Sequence, residues 1–464
     1  NIYMSKNKET SIFIFRRDFR KEDNTGLIKC CKNSDKIYPI FIFTPEQIKK
    51  NIYKSSNAIQ FMIESLKDLK ESLGELNIFY GNYNKVIKDI LNNNKISAIY
   101  TNADYTPYAI KRDEDIQKIC DKHNIDFELS DDICLLKPGT VLNGSGNAYQ
   151  KFTPFYKKCI TNKPNKIDKY KVKLSKMSKI DSKYKIKWYK LHNYYTHNNE
   201  LNINGGRHDA LKALDKIKKD DYDEYAKYRN MLLYQTTQLS GYLKFGCISI
   251  REVYELLLKK YDINDPIIRQ LYWRDFYYQV GYHFPRVFGK SLKSKYDKIK
   301  WLGKKSYLEA WKKGETGFPV VDACMTQLNR TGYMHNRGRL IVASFLIKNL
   351  QIDWREGEKY FATQLLDYDP LVNNGNWQWV SGSGADSQQY IRIFNPWTQS
   401  VKFDPDGEYI KHWLPIFKNI PKKDIHNWST THTKYKIKYP KMIVDYKKSR
   451  DITMKMYKKG LQSK

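Results

Sequence analysis

The chain has 464 residues, of which 41% are hydrophobic and 14% aromatic, so it can bury real cores and is not globally disordered. This length exceeds what one hydrophobic core usually serves, and we therefore expect two domains. The formal net charge of +32 favours a polyanionic partner, nucleic acid first, although a merely soluble basic surface would also carry it.

Seven cysteines are scattered along the chain, without a Cys-x-x-Cys pair or a histidine at zinc-ligand spacing. We interpret them as reduced thiols of an intracellular protein, cytoplasmic or nuclear, and expect no metal site. The apolar run at 12–15 is too short for a signal peptide, and no segment reaches transmembrane length, so we expect no membrane association.

Residues 10–135 alternate short β-rich runs with helical stretches. Buried strands are predicted at 11–15, 36–43, 77–80, 96–102 and 125–129. Helices are predicted at 58–73, 86–91 and 109–120. This alternation favours a Rossmann-like α/β domain with a mostly parallel sheet and helices on both faces. No Gly-x-Gly-x-x-Gly or P-loop motif follows a strand, so an ordinary dinucleotide or ATP site has no support.

Residues 136–204 lose this periodicity, and LNGSGNAYQKFTPFYKK at 142–158 reads as a loop. The lysine-rich segment at 167–190 either attracts phosphate or is simply solvated. We therefore predict a long interdomain linker that lies on the surface.

From residue 205 to residue 464 nearly everything reads as helix. Apolar residues at helical spacing predict helices at 207–219, 247–261, 264–283, 318–330, 333–349 and 354–366. The second domain is therefore expected to be all-helical.

The stretch 331–399 within this domain indicates a ligand site. It places arginine, asparagine and tryptophan beside small and apolar residues. Because these polar side chains are costly to bury without partners, they favour a polar-lined cavity, with plain helix packing as the alternative. Hydroxyl groups at 236–240 (TTQLS) would suit either a phosphate cradle or an ordinary helix cap.

One face of the helix predicted at 264–283 is unusual. Gln270, Trp273, Arg274 and Tyr277 share this face by their spacing. An indole beside an amide suits a pocket that stacks and hydrogen-bonds nucleobases. Trp273 would equally serve as a wedge between helices.

The order of residues in several strings resembles the DNA photolyase/cryptochrome family. These strings are FIFRRDFRKEDN at 13–24, NADYTPYAIKRD at 102–113, TTQLSGYLKFGCIS at 236–249, and TGYMHNRGRLIVASFL, IDWREGE and NNGNWQW within 331–399. Among family members, the chain looks closest to class I cyclobutane pyrimidine dimer photolyases. The resemblance implies that 10–135 is an antenna-type α/β domain, that 136–204 is the linker, and that 205–464 is an all-helical FAD-binding domain.

The resemblance implies a light-driven deoxyribodipyrimidine photolyase, a carbon–carbon lyase that repairs UV-damaged DNA. Excited, reduced FAD would pass one electron to a flipped-out cyclobutane dimer, and the electron would return once the ring has split. A (6-4) photolyase and a cryptochrome-like flavin photoreceptor without repair activity are the alternatives. We expect a monomer.

The resemblance also implies a possible second cofactor, an antenna chromophore. Relatives often hold a folate or a deazaflavin in the α/β domain. Folate-binding members carry an Asn-Glu pair where this chain has Tyr108 and Ala109. The presence and identity of the antenna therefore stay open.

The resemblance also assigns roles to individual residues. FAD contacts are implied for Tyr225, Thr236, Thr237, Gln238, Leu239, Ser240, Arg339, Asp367, Asp369 and Asn373. Contacts with DNA or the lesion are implied for Gln270, Trp273, Arg274, Tyr277, Asn336, Arg337, Trp379 and Gln399. Catalytic roles are implied for Asn373 beside flavin N5, for Gln270 and Asn336 at the lesion, and for an electron-hopping chain of Trp377, Trp354 and, outermost, Trp301. Arg339 is expected to pair with Asp367 near the flavin.

Two positions bear on which lesion is repaired. Dimer-repairing relatives normally have glutamate at position 270, whereas this chain has Gln270, as (6-4) photolyases do. A (6-4) photolyase would carry histidine at position 336, where it is needed for proton transfer, and Asn336 instead matches the dimer-repairing class. Because the histidine bears directly on the chemistry, the sequence favours the cyclobutane dimer.

Overall fold

The first domain is built on a five-stranded parallel sheet with the strand order β3-β2-β1-β4-β5. The computed structural model describes residues 8–49, 51–219, 222–388 and 391–462. The strands are β1 (Lys8–Phe15), β2 (Ser34–Phe43), β3 (Asn77–Tyr80), β4 (Ala98–Asn102) and β5 (Asp126–Ser130). All five predicted strands are therefore present.

Helices cover both faces of this sheet, as predicted. They are α1 (Thr25–Asn33), α2 (Pro45–Ile48), α3 (Ser56–Leu73), α4 (Tyr83–Asn93) and α5 (Pro107–Lys122). Alternate residues of β1 serve the two faces, since Phe13 and Phe15 belong to one hydrophobic core and Ile12 and Ile14 to another. Helices α1 and α2 were not predicted, because both are short and are set by local caps at Asn24 and Thr44.

The predicted linker is more structured than the sequence indicated. The stretch read as a loop contains helix α6 (Phe152–Ile160), whose apolar side chains are buried against the second domain. Short 3-10 helices follow at Leu174–Lys176 and Trp188–Tyr194. Backbone hydrogen bonds join the linker to both ends of β3, from Tyr80 N–H to Tyr184 O and from Ile186 N–H to Ile78 O. The linker thereby covers an edge strand that would otherwise be unpaired.

The second domain is helical, as predicted. Its helices are α7 (Arg207–Lys218), α8 (Tyr225–Tyr228), α9 (Ser240–Phe245), α10 (Ile250–Leu258), α11 (Pro266–His283), α12 (Lys305–Lys313), α13 (Pro319–Thr331), α14 (Asn336–Lys348), α15 (Trp354–Gln364), α16 (Pro370–Ser381), α17 (Pro396–Phe403), α18 (Glu408–Trp413), α19 (Lys422–His426), α20 (Trp428–Thr431) and α21 (Tyr446–Gln462). Further 3-10 helices lie at Pro285–Val287, Ser294–Lys298, Pro415–Phe417 and His432–Lys434. Across the described ranges, no helix combines the length and the apolarity needed to cross a bilayer.

A buried network of charged side chains joins the two domains. The Arg251 guanidinium of α10 donates to Asp23 at 2.8 Å and to Asp132 at 2.8 Å, and both aspartates belong to the first domain. Asp132 also accepts two bonds from Arg20, each at 2.8 Å. Burial alone would raise the pKa of Asp132, but Arg20 and Arg251 together hold it well below its usual value.

We predict that Arg251→Met lowers the free energy of unfolding by about 3 kcal/mol, because the substitution leaves two buried carboxylates without full compensation. Urea unfolding at neutral pH measures the change. Arg330→Ala is the matched control, since it removes an ion pair with Glu200 in which both side chains are about half exposed, and it should cost less than about 0.5 kcal/mol. Equal effects of the two substitutions would contradict the importance assigned to the buried network.

Candidate functional site

The helical domain contains a cavity of about 570 Å³. Its walls come from the 225–244 segment, α11, α14 and α16, together with the 365–369 turn. Cavities of this size hold cofactor-sized ligands. The cavity brings together predicted residues that are more than a hundred positions apart in sequence. These lining residues are Tyr225, Thr236, Thr237, Gln238, Leu239, Ser240, Gln270, Trp273, Arg274, Tyr277, Asn336, Arg337, Arg339, Asp367, Asp369, Asn373, Trp377 and Trp379.

The Arg339–Asp367 pair expected from the sequence is present in the cavity wall. Arg339 Nη2 donates to Asp367 Oδ2 at 2.8 Å, and the Ser240 hydroxyl donates to the same oxygen at 2.6 Å. The other carboxylate oxygen, Asp367 Oδ1, is buried without a hydrogen-bond partner. Because an unsatisfied buried acceptor is costly, Asp367 Oδ1 fits a donor supplied by a bound ligand.

Asp369 is placed differently, although it lies only two residues further on. Its Oδ2 accepts from Arg17 Nη2 and from the Tyr278 hydroxyl, each at 2.5 Å. Its Oδ1 accepts the backbone N–H groups of Leu371 and Val372 and so caps α16. Both oxygens are therefore engaged within the protein, and a direct contact of Asp369 with a cofactor stays a prediction.

Asn373 lies on the first turn of α16, with its amide fixed from one side. Its Nδ2 donates to the backbone oxygen of Glu358 at 3.0 Å, which leaves Oδ1 as the end that can accept from a bound group. The Glu358 carboxylate in turn accepts from Asn374 Nδ2 at 2.9 Å. Burial raises the pKa of Glu358 to about 7. The backbone of α15 therefore orients Asn373, and the Glu358 carboxylate holds the neighbouring Asn374.

The aromatic wall of the cavity is built on α11 and α16. Trp273 stacks on Phe152 of α6, with ring centroids 3.8 Å apart and planes 6° apart. The Tyr277 ring packs on Gly375, where an added Cβ would come within 2.1 Å of it. Glycine at position 375 is therefore required by the close approach of α11 and α16. Trp379, on the last turn of α16, is half-buried and also lines the cavity.

The polar residues expected at the lesion differ in how free they are. Asn336 is exposed. The side-chain amide nitrogen of Gln270, Nε2, donates to the backbone oxygen of Pro266 at 2.9 Å. Arg274 donates to the backbone oxygen of Ile133 at 2.8 Å, so its guanidinium is partly engaged at the domain interface. Gln399 lies on α17, outside the described lining of the cavity. Contacts of these four residues with DNA stay predictions.

Arg337 lies in a positively charged part of the wall. Its guanidinium donates to Asn230 Oδ1 at 2.7 Å and lies over the Phe403 ring, 4.3 Å from the centroid. Burial, followed by repulsion from Arg392 and Arg229, lowers the pKa of Arg337 to about 10. A cation surrounded by other cations is stabilised by an incoming anion such as a phosphate.

The three tryptophans of the expected hopping chain differ in how buried they are. Trp377 lines the cavity and packs on Gly357, where an added Cβ would lie 2.1 Å from its ring. Gly357 is one turn beyond Trp354 on α15, and Trp354 is fully buried. Trp301 is partly exposed. Two residues further on, the Gly303 N–H donates to the backbone oxygen of Gln351, which connects this segment to the residues just before α15. This arrangement is compatible with the expected order, although electron transfer itself stays a prediction.

Comparisons with known proteins agree with this architecture. Residues 11–171 match the family model described as DNA photolyase, and residues 267–459 match the model described as FAD binding domain of DNA photolyase. The deoxyribodipyrimidine photo-lyase of Buchnera aphidicola is 35% identical, with 97% of each chain covered. The chain belongs to the DNA photolyase family.

Solved structures of photolyases and a cryptochrome share the fold. The archaeal photolyase from Sulfolobus tokodaii, crystallised with two FAD molecules, is 38% identical with a TM-score of 0.87, covering 97% of this chain and 100% of that one. A cryptochrome from Synechocystis is 27% identical with a TM-score of 0.87, covering 97% and 99%. The family, the two-domain fold, the photolyase enzyme class and the FAD cofactor predicted from the sequence are thereby confirmed. The domain boundaries, the monomeric state and the intracellular location stay predictions.

Several residues that shape this photolyase site were missed by the sequence reasoning. Phe152 fell in a stretch read as a loop, and Arg17 was noted only as part of a basic turn. Glu358 and Asp386 were not singled out, although Asp386 lines the cavity. The sequence IDWREGE, already noted for Trp354, contains Glu358 and was the one signal that pointed near it.

We predict that Glu358→Gln raises the free energy of unfolding of the FAD-loaded protein at pH 8 by about 2 kcal/mol and changes it little near pH 4. The pKa of Glu358 is about 7 in the folded protein and near 4.5 in the unfolded chain. Between these two pH values the unfolded chain has released the Glu358 proton, whereas the folded protein still holds it. The wild type therefore loses stability over this window as the pH rises, and the glutamine variant does not. Urea unfolding across pH 4–8 measures this, with Glu356→Gln on the exposed face of the same helix as control. Parallel pH profiles for wild type and Glu358→Gln would contradict it.

Proposed function

We propose that this member of the photolyase family repairs cyclobutane pyrimidine dimers in DNA under light. The observation that carries the proposal is a single cavity in which the Arg339–Asp367 pair and Asn373 share walls with Trp273 and Trp379. The Arg339–Asp367 pair and Asn373 suit a flavin, and the two tryptophans suit a flipped-out pair of bases. A photolyase needs both within reach of each other.

The residues present fit FAD. The buried Asp367 Oδ1 lacks a donor, Asn373 offers an amide oxygen, and the hydroxyls of Thr236 and Thr237 line the same cavity. FAD, once bound and reduced, supplies under light the single electron that opens the cyclobutane ring. Arg339 donates to Asp367 Oδ2 and so fixes the orientation of the carboxylate, which gives the wall a positioned acceptor for the cofactor.

DNA is the partner that the charge favours. The net charge of +32 attracts a polyanion at long range, and Arg337 with its neighbours Arg229 and Arg392 provides cations at the cavity. Trp273 and Tyr277 offer apolar surface on which an extruded dinucleotide can stack. A dimer is the easier pair to extrude, because its stacking and pairing are already damaged.

Asn336 supports the cyclobutane dimer over the (6-4) product. Its exposed amide reaches the cavity and can hydrogen-bond a base edge, but it cannot transfer the proton that the (6-4) reaction requires of a histidine there. Gln270 can donate or accept but carries no charge, so it supplies neither a proton nor a negative charge. The likeness to a cryptochrome keeps a photoreceptor without repair activity as the second candidate.

An antenna chromophore in the first domain is also a proposal. The folate-type Asn-Glu pair is replaced by Tyr108, which is 56% exposed, and by the buried Ala109. The archaeal relative from Sulfolobus tokodaii was crystallised with two FAD molecules. A flavin-type antenna is therefore favoured over a folate, and reconstitution followed by chromatography of the released pigments would identify it.

Light-dependent repair distinguishes the three candidates. The purified FAD-loaded protein is illuminated with duplex DNA that carries either a thymine cyclobutane dimer or a (6-4) product, and each lesion is quantified by chromatography. We expect loss of the dimer in light only, with the (6-4) product unchanged. Loss of the (6-4) product would reassign the lesion. Loss of neither, with flavin present, would support the photoreceptor.

We predict that Trp377→Phe slows photoreduction of the bound flavin at least tenfold, because an indole releases an electron more readily than a benzene ring does. Repair by protein that was first reduced chemically should stay within about twofold of the wild type. Flavin absorbance during illumination follows the first quantity, and dimer loss follows the second. Trp397→Phe, on α17 and outside the described lining of the cavity, is the control. Equal loss of both activities would contradict the hopping role of Trp377.

A further inference from the structure

We propose that Asp386 is a positioning residue for lesion binding. Its carboxylate holds Phe152 in the position where the Phe152 ring stacks on Trp273. The inference rests on the proposed function, since it assumes that Trp273 meets the dimer. Asp386 lies beyond α16, in the loop that follows the helix cap Gly382, and it lines the same cavity as Trp273 and Trp379.

Three hydrogen bonds join this loop to the start of α6. The Phe152 N–H donates to Asp386 Oδ1 at 3.0 Å, the Asp386 N–H donates to Gln150 O at 2.8 Å, and Lys151 Nζ donates to Ser387 O at 3.1 Å. We call this connection between residues 150–152 and 386–387 the cross-cavity strut. It links two segments that are more than 230 residues apart in sequence.

Asp386 caps α6 in place of a residue of the helix itself. The residue at the N-cap position, Lys151, provides no side-chain cap, so the Asp386 carboxylate satisfies one of the free N–H groups of the first turn. Phe152, the residue so capped, is the one whose ring lies 3.8 Å from the Trp273 indole and parallel to it. The Asp386 carboxylate therefore anchors the backbone of the residue whose ring stacks on Trp273.

The backbone of Asp386 supports a specific role. It has a φ of 53°, in the left-handed region that aspartate and asparagine tolerate better than other non-glycine residues. Asp367 and Asp369, the other carboxylates that line the described part of the cavity, each pair with an arginine, whereas the Asp386 carboxylate accepts a hydrogen bond from the Phe152 N–H of a helix in another part of the chain. A strained backbone held at a cavity wall is typical of positions that orient a binding surface.

The strut connects the parts of the chain that support Trp273 and Trp379, which both line the cavity. Trp273 on α11 is backed by Phe152, while Trp379 stands on the last turn of α16, just before the loop that carries Asp386. Because the strut ties Phe152 to that loop, we expect it to restrict movement of the two indoles relative to each other. A slot of fixed width selects for a rigid dimer, since two separate bases lose more freedom on entering it.

The test compares Asp386→Ala with Asp386→Asn in the FAD-loaded protein. Asparagine keeps an acceptor oxygen and tolerates the left-handed backbone, whereas alanine does neither. Dissociation constants are measured in the dark, for a duplex with one thymine dimer and for the undamaged duplex. We expect Asp386→Ala to weaken dimer binding about tenfold with undamaged DNA changed less than about twofold, and Asp386→Asn to stay within about threefold of the wild type. In repair assays, Asp386→Ala should raise KM and leave kcat near the wild-type value.

Two further variants separate positioning from general destabilisation. Asp404→Ala removes a buried aspartate that accepts the N–H groups of Tyr409 and Ile410 at α18, away from the described lining of the cavity, and it should leave the preference for the dimer unchanged. Phe152→Leu should weaken dimer binding about as much as Asp386→Ala, and the double variant should be little worse than either single one, because both act through one stack.

The outcomes divide clearly. If the wild type prefers the dimer and Asp386→Ala keeps that preference, this inference alone is overturned. The same holds if Asp386→Asn loses as much dimer binding as Asp386→Ala, or if Asp386→Ala weakens binding of undamaged DNA equally. A wild type without any preference for the dimer would overturn the proposed function and this inference with it. Loss of preference in Asp386→Ala with rescue by Asp386→Asn would support the positioning role.

Discussion

The ion pair between Arg17 and Asp369 is the contact on which the site depends. Arg17 lies two residues beyond the end of β1, and Asp369 is the residue that caps α16. Because one oxygen of Asp369 fixes the start of α16 and the other binds the first domain, the position of the whole helix is set at the domain interface. Asn373, Trp377 and Trp379 all stand on α16. The residues of α16 that line the cavity are thus aligned to the first domain by one carboxylate.

This arrangement is possible only because cations surround the carboxylate. Burial would raise the pKa of Asp369, but the charges of Arg17, Lys244 and Arg274 hold it well below its usual value. The reverse effect appears on Lys244, where burial, followed by repulsion from Arg17, lowers the pKa to about 8. The interface therefore buries cations beside carboxylates, and at Asp104, where burial would raise the pKa, Arg17 and Lys244 together lower it. The Asp23–Arg251–Asp132 network repeats this design at a second point of the same interface.

The sequence predicted what depends on local pattern and missed what depends on distant pairing. The five strands were found because runs such as IFIF at 12–15 are apolar at successive positions, which is typical of a parallel sheet buried on both faces. Helix α6 was missed because its nine residues follow a glycine- and asparagine-rich stretch, and its apolar face is stabilised by α11 rather than by its own propensity. The Arg339–Asp367 pair was expected from family resemblance, not from spacing. No local signal could have matched Arg17 with Asp369, which is 352 positions away.

Small residues explain why the aromatic rings of the site can lie where they do. Gly357 of α15 allows the Trp377 ring to lie on the helix backbone, and Gly375 of α16 does the same for Tyr277 of α11. In both places an added Cβ would come within 2.1 Å of the ring, so any other residue would push the helices apart. The two glycines therefore set the spacing of α15, α16 and α11, and with it the positions of the Trp377 and Tyr277 rings in the cavity wall. The electron supply and the base stacking that we propose would both depend on the same close packing of three helices.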